Sequence, residues 1–345
     1  MYIKRILWGV ALLGLVIMGV FSYYVYKTVL VPNTTFEQET AQVFIATNSS
    51  MKDVLEVMEP LVKDVHSLEI VADQKKYSSN IRPGRYIIKK DMTNLEIIDV
   101  LRSKNEPISL KFNNQERLEN LAGHVAKQIE ADSLELIEAM QDTVFLKKEG
   151  LDITNALAMY IPNTYEFYWN TSGEQFRDRM KKEYDRFWNE RRQNAAKELG
   201  LQREEVISLA AIVQKETVKV EERPKVAGVY LNRLKLNMKL QADPTVIYAI
   251  KDTDNDFDQV IKRVLYQHLE IDSPYNTYMY AGIPKGVIAM PDISSIDAVL
   301  FPEKHNYLYF VADTSNFGYH IFARSHAEHI RNRQQYIRWI SQQKL

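Results

Sequence analysis

The sequence predicts an α+β protein carried on a single N-terminal transmembrane helix. Three observations lead there. One long uncharged apolar run lies near the start. Short strand-like and capped helical segments alternate over the next hundred residues. Longer amphipathic helices follow, and then a stretch richer in strands and loops.

The apolar run is Ile6 to Tyr26, without a charge. As a helix it measures about 31 Å, which matches a ~30 Å hydrocarbon core. Lys4 and Arg5 precede it, Lys27 follows it, and Trp8, Tyr23, Tyr24 and Tyr26 sit toward its ends as interfacial anchors. A cleaved signal peptide fits less well, because the run exceeds a 7–15 residue apolar region and has no small-x-small site before Lys27. The basic residues place the tail 1–5 in the cytoplasm, the span at 6–26, and all that follows in the periplasm or outside. The expected location is therefore the inner (cytoplasmic) membrane, single-pass, with the bilayer as a partner.

Residues 27–35 read as a linker containing Pro32. A small α+β module is expected over 36–112. Phe36 to Ile45 alternates as a strand. Asn48, Ser49 and Ser50 can cap a helix from Met51, with Val54, Leu55, Met58, Leu61 and Val62 on one face. Leu68 to Val71 reads as a strand, residues 80–84 as a turn, and Arg85 to Lys89 as a strand. Thr93 and Glu96 form a capping box before Ile97, Ile98 and Leu101, and Pro107 to Phe112 begins another strand.

A larger mixed α/β domain is expected over 113–345. Gln115 to Ile137 and Thr154 to Tyr160 look helical, with Thr143 to Asp152 as a charged loop between them. Phe176 to Leu199 reads as one long helix with alternating charge, ended by Gly200. Glu204 and Glu205 open an apolar helix through Val206–Val213, another helix covers Lys225 to Leu234, and strands and loops dominate after Asp258. Tyr307 to Val311 is an apolar strand.

Composition narrows the chemistry. The chain has no cysteine, which excludes disulfides, thiolate metal sites and thiol catalysis. With 44 basic and 45 acidic side chains it lacks the charge excess of a nucleic-acid binder. Only 12 glycines are present, and no phosphate-binding fingerprint occurs. His320, His326, Glu328 and His329 cluster near the end, but His326 and His329 are three apart rather than the four of a zinc-binding HExxH helix, so packing or surface roles are favoured. No metal and no cofactor are expected.

No G-x-S-x-G elbow occurs and nothing points to a Ser–His hydrolase, although a spatial triad stays open; one carboxylate is the stronger candidate. The apolar helix ends in Gln214-Lys-Glu-Thr217, so Glu216 emerges from a segment that should desolvate it and raise its pKa toward a general acid's. A solvated helix-end glutamate paired with lysine is the competing reading. Polar groups are dense over the next 75 or so residues: Glu222, Asn232, Gln241, Asp243, Thr245, Tyr248, Asn276 and Tyr278. Each alone is ordinary loop chemistry, but together they suggest one polar cleft with aromatic walls.

Several ordered motifs carry a resemblance. They are Ile161-Pro-Asn-Thr-Tyr165, Leu209-Ala-Ala-Ile-Val-Gln-Lys-Glu-Thr217, Glu222-Arg-Pro-Lys-Val226, Tyr230-Leu-Asn-Arg-Leu234 and Leu240-Gln-Ala-Asp-Pro-Thr-Val-Ile-Tyr248. Tyr275-Asn-Thr-Tyr278, Gly282-Ile-Pro-Lys-Gly-Val-Ile288, Tyr307-Leu-Tyr-Phe-Val311 and His320-Ile-Phe322 continue the series. The chain resembles the MltG/YceG-like family of endolytic murein transglycosylases. The resemblance implies a LysM-like module at 36–112, a catalytic region at 113–345 and a catalytic glutamate at Glu216. It implies cleavage of the MurNAc-β-1,4-GlcNAc bond in nascent peptidoglycan strands, leaving 1,6-anhydroMurNAc ends, close to cell-wall synthases. Gln214 stands where many members have glutamate, and Asp292 follows Pro291 where glycine is common. The first departure could alter the field around Glu216. Two alternatives stay open: a hydrolytic muramidase using Glu222 or Asp243 as second carboxylate, and a non-catalytic, membrane-tethered glycan-binding or scaffold protein.

Overall fold

The structure is a computed structural model and describes residues 2–103 and 105–342. It divides into two compact units. Unit 1 comprises 1–110, 128–131 and 165–172, and unit 2 comprises 111–127, 132–164 and 173–345.

Unit 1 opens with α1 (Tyr2–Leu30), the one helix among the described residues long and apolar enough to cross a membrane. Nearly its whole surface is exposed, and Thr28 is its buried residue. The stretch read as a linker is bonded into the unit. Asn33 donates to Asn94 Oδ1 (2.6 Å), and Asn94 donates to the Thr28 carbonyl (2.8 Å).

β1 (Thr40–Ile45) and β2 (Gly84–Lys89) pair antiparallel, with Thr40 opposite Lys89 and Ile45 opposite Gly84. Between them lie α2 (Met51–Met58) and α3 (Val65–Gln74). Ser50 and Asp53 form a reciprocal capping box for α2. Thr93 and Glu96 do the same for α4 (Asn94–Leu101), as the sequence predicts. Val43, Val54, Leu68, Tyr86, Ile88 and Ile98 meet in the unit's core.

The expected strand at Leu68–Val71 is instead part of α3. Asp64 caps that helix, and Leu68, Val71 and Ala72 are buried at helical spacing. A four-residue apolar run cannot reveal its own period. β3 (Pro107–Phe112) has the predicted bounds and pairs with β4 (Asn163–Tyr168).

Unit 2 is mainly helical. The single helix expected from Gln115 is two, α5 (Leu118–Val125) and α6 (Ser133–Met140), because Asp132 accepts from the amides of Leu134 and Glu135 and starts a new helix. The charged stretch read as a loop contains α7 (Thr143–Lys148), capped by Asp142 in the same way. The long helix at 176–199 is broken into α8 (Gly173–Phe187) and α9 (Glu190–Leu199), where Asn189 caps the second and Trp188 is buried at the joint. Gly200 ends α9 in the left-handed conformation, φ 73°.

The centre of unit 2 is α10 (Arg203–Glu216), whose residues Val206 to Val213 are all buried. It packs against α9, α11 (Arg223–Lys235), α12 (Asp243–Asp254) and α13 (Ile293–Leu300). The region after Asp258 is less strand-dominated than expected. It holds α13, the hairpin β5 (Tyr309–Ala312) and β6 (His320–Ala323), and α14 (His326–Gln342) packed on that hairpin.

Candidate active site

Glu216 is the last residue of α10. The apolar helix is anchored at both levels. Ser208, a lone hydroxyl in the buried run, reaches the carbonyls of Pro284 (3.1 Å) and Gly286 (3.0 Å). In the last turn Lys215 binds Glu116 (2.7 Å), which also takes Lys251 (2.9 Å). Burial acts to raise the Glu116 pKa, but the two lysines outweigh it and hold the carboxyl below its usual value. Lys215 thus has a partner of its own, and Glu216 is left to the other side of the helix end.

Glu216 accepts a hydrogen bond from the Tyr230 hydroxyl, 2.7 Å from Oε1. Its pKa is pushed up to about 7, chiefly by burial. The Tyr230 bond acts in the opposite direction, the nearby Asp243 charge adds to the rise, and His320 and Arg233 oppose it. Burial, followed by the charge of Glu216, keeps the Tyr230 hydroxyl protonated far above neutral pH, so it remains a donor.

A cleft of about 290 Å³ opens beside this pair. It is lined by Glu216, Tyr230, Arg233, Gln241, Asp243, Tyr278, Tyr309, Phe310, His326 and His329. Asp243 begins α12 and accepts the Tyr278 hydroxyl at 2.7 Å. Gln241 holds the left-handed conformation, φ 48°, with its amide on the Thr277 carbonyl (3.2 Å). A non-glycine residue in that conformation is strained.

Four of the sequence-predicted positions therefore meet at this cleft: Glu216, Gln241, Asp243 and Tyr278. The others stand behind or beside it. Asn232 donates to the carbonyls of His305 (2.8 Å) and Tyr307 (3.1 Å). Thr245 is buried against the Ala242 carbonyl and Thr277. Asn276 donates to the carbonyls of Leu269 and Ile271 and braces a loop. Tyr248 packs on Tyr275 and Phe257 and lines a separate cavity of about 170 Å³ with Glu116, Lys215 and Lys251.

Glu222 is buried and accepts both the amide and the Nδ1 of His320, each at 2.8 Å. Burial acts to raise its pKa, yet the His320 bonds prevail and hold it below the ordinary value. The His320 ring packs edge-on against Phe310 (5.0 Å), and Phe310 against Tyr230 (5.9 Å). Glu222 thereby braces the wall that holds the Glu216 donor.

Tyr230, Arg233, Tyr309 and Phe310 are absent from the sequence-derived site, and the His326/His329 pair was expected in packing or at the surface. Tyr230 and Arg233 are three apart on α11 and share a face, a spacing the sequence does display. The two departures also find their places. Gln214 accepts the Asp292 amide and the Ser295 hydroxyl at the start of α13, and Asp292 occupies the N-cap of that helix. Among the described residues no group of three or more histidines and carboxylates is disposed to hold a metal ion.

A desolvated carboxyl near pKa 7, a tyrosine donor and a polar, aromatic-walled cleft define a site of general-acid type. The chain belongs to the YceG-like family, which matches residues 43–335. It is 31% identical over 343 residues to a Bacillus subtilis protein named endolytic murein transglycosylase, covering 94% of this chain and 91% of that one. A Streptococcus pneumoniae protein of the same name is 26% identical over 344 residues, and the match spans 61% of its length. Among solved structures, a yceG-like protein from Listeria monocytogenes is similar at 26% identity and a TM-score of 0.56, covering 86% of this chain and 99% of that one.

Proposed function

We propose that this chain is a membrane-anchored endolytic murein transglycosylase with Glu216 as its catalytic acid and base. The observation that carries the reading is the Glu216 carboxyl: half-buried at the end of an apolar helix, its pKa pushed up to about 7, and facing a polar, aromatic-walled cleft. Protonated Glu216 donates its proton to the glycosidic oxygen between MurNAc and GlcNAc, and the bond to muramyl C1 breaks. The muramyl O6 hydroxyl then attacks C1 and gives its proton to the Glu216 carboxylate. The acid is regenerated, no water is consumed, and a 1,6-anhydroMurNAc end results. One carboxyl suffices because the nucleophile belongs to the substrate. Tyr230 keeps Glu216 oriented and supports its carboxylate form. Gln241, Asp243 and Tyr278 are the proposed contacts to sugar hydroxyl and N-acetyl groups.

The apolar helix α1 supports anchoring in the cytoplasmic membrane, with residues 1–5 inside and the cleft outside. A seat at the bilayer would bring it to nascent strands and to the synthases that extrude them. For the βααβ arrangement of β1, α2, α3 and β2 we retain the LysM-like reading, a second contact to glycan.

Asp243 favours a second reading, because it puts another carboxylate in the same cleft. As a base toward water it would make the enzyme a hydrolysing muramidase. Glu216→Gln tests the assignment common to both readings. It should abolish shortening of purified glycan strands while the protein stays folded. Near-normal shortening by that variant would overturn it.

A further inference from the structure

Three basic side chains of the cleft gather on one residue, Tyr309. The Arg233 guanidinium lies 5.3 Å from its ring centre, the His329 ring stacks on it at 5.2 Å, and the His326 ring is 5.8 Å away. All three line the same cleft as Glu216. Beyond the Arg233 charge that acts on Glu216, the transglycosylation step described above gives them no role.

Two of the three carry unmet polar capacity. Arg233 is buried, and its Nε and Nη1 go to the carbonyls of Leu308 and Leu240. Among the described residues it makes no ion pair, and these hydrogen bonds go to neutral carbonyl oxygens. A buried cation in that state gains strongly from an anion delivered to it. His329 Nδ1 is buried with no hydrogen-bond partner, an arrangement that favours any ligand able to satisfy it. The carboxylates of the cleft do not fill this role. Glu216 is bonded by Tyr230 and Asp243 by Tyr278.

We infer that Arg233, His326 and His329 form a carboxylate-binding subsite beside the reacting bond. The inference rests on the murein reading of the cleft. In that substrate a carboxylate can come from two places: the lactyl group of a muramyl residue without peptide, or the stem peptide attached to it. Arg233 supplies the fixed charge, and the two histidines supply hydrogen bonds. Burial, then the charges of Arg233, His326 and Arg333, holds His329 below its usual pKa, so a bound anion would also ease its protonation.

The test measures binding by the full-length Glu216→Gln protein in detergent, so that no strand is consumed. Three glycan strands of equal length are compared: with stem peptides, with peptides removed and lactyl carboxylates free, and with those lactyl carboxyls converted to neutral amides. At least one carboxylate-bearing strand should bind roughly tenfold tighter than the neutral one, the scale of one charge-assisted bond. The strand that gains identifies the source. Adding Arg233→Gln together with His326→Ala and His329→Ala should remove the gain, His326→Ala with His329→Ala alone should reduce it, and His326→Arg with His329 intact should retain it. Equal affinity for all three strands, or a gain that survives the triple substitution, overturns the subsite. The wild-type protein is incubated with the same strands in parallel. Failure to shorten any of them would count against the enzymatic reading alone and leave the binding comparison standing.

Discussion

The Tyr230 hydroxyl donates to Glu216 Oε1 across 2.7 Å, from one buried helix to the end of another. The bond stabilises the carboxylate, while burial stabilises the acid, and burial is the larger effect. The pair therefore stays protonated up to about pH 7 yet can accept a proton back.

Removing the donor changes that balance in a known direction. In Tyr230→Phe the carboxylate loses its hydrogen bond, so the Glu216 pKa should rise further. The alkaline limb of the kcat/KM profile, expected near pH 7 in the native enzyme, should move to higher pH. Maximal activity should fall about tenfold or more as Glu216 loses its orientation. An unmoved alkaline limb would contradict the role given to this pair.

Glu216 should also be a burden on stability. Its folded pKa is about 7 against an ordinary 4.5, so the unfolded chain ionises first as pH rises. Stability is lost between about pH 4.5 and 7, and the deficit is constant above, at most ~3 kcal/mol. Glu216→Gln keeps an acceptor for Tyr230 and no longer ionises. Denaturant unfolding at pH 8 should show it to be more stable than the native chain by roughly 1–3 kcal/mol, a difference that disappears near pH 4.

Glu222 has the opposite sign. Its pKa is lowered in the folded state, so its contribution is present above the ordinary carboxylate range and is lost as pH falls through the folded value. Glu222→Ala leaves the His320 amide and ring without their acceptor and should cost about 2 kcal/mol at pH 7. The loss should shrink in acid, as measured by urea unfolding at both pH values.

Gly228 sits inside α11, where alanine would ordinarily stabilise a helix by ~1 kcal/mol. A Cβ there would lie 2.6 Å from His305 Nε2 and 2.7 Å from the Glu303 carbonyl oxygen. Gly228→Ala should therefore lower the melting temperature, by a net of about 1–3 kcal/mol in unfolding free energy. It should also loosen the segment that Asn232 fastens to α11.

The sequence displayed the local devices more clearly than the long-range ones. The Thr93/Glu96 box and the Gly200 stop are written in adjacent residues, and both are found where expected. The Leu68–Val71 stretch reads as a strand because its helical face emerges only with Asp64 and Ala72 included. In the cleft, Glu216 is marked by the apolar run before it. Asn232 and Asn276 have amides as conspicuous in sequence as any ligand-binding group, and only the fold reveals that backbone carbonyls take them. Arg233 and His329 meet through Tyr309, across a hundred residues, a convergence no spacing discloses.

The central claim is non-hydrolytic cleavage driven by the single acid Glu216, and the masses of the new strand ends test it most directly. Uncrosslinked glycan strands are digested with the full-length protein in detergent, and the products are weighed. The account predicts 1,6-anhydroMurNAc ends with no added water, and no product at all from Glu216→Gln. Ends carrying one added water would contradict the transglycosylase mechanism and point to the muramidase reading. Product from the Glu216→Gln protein would contradict the assignment of the acid itself.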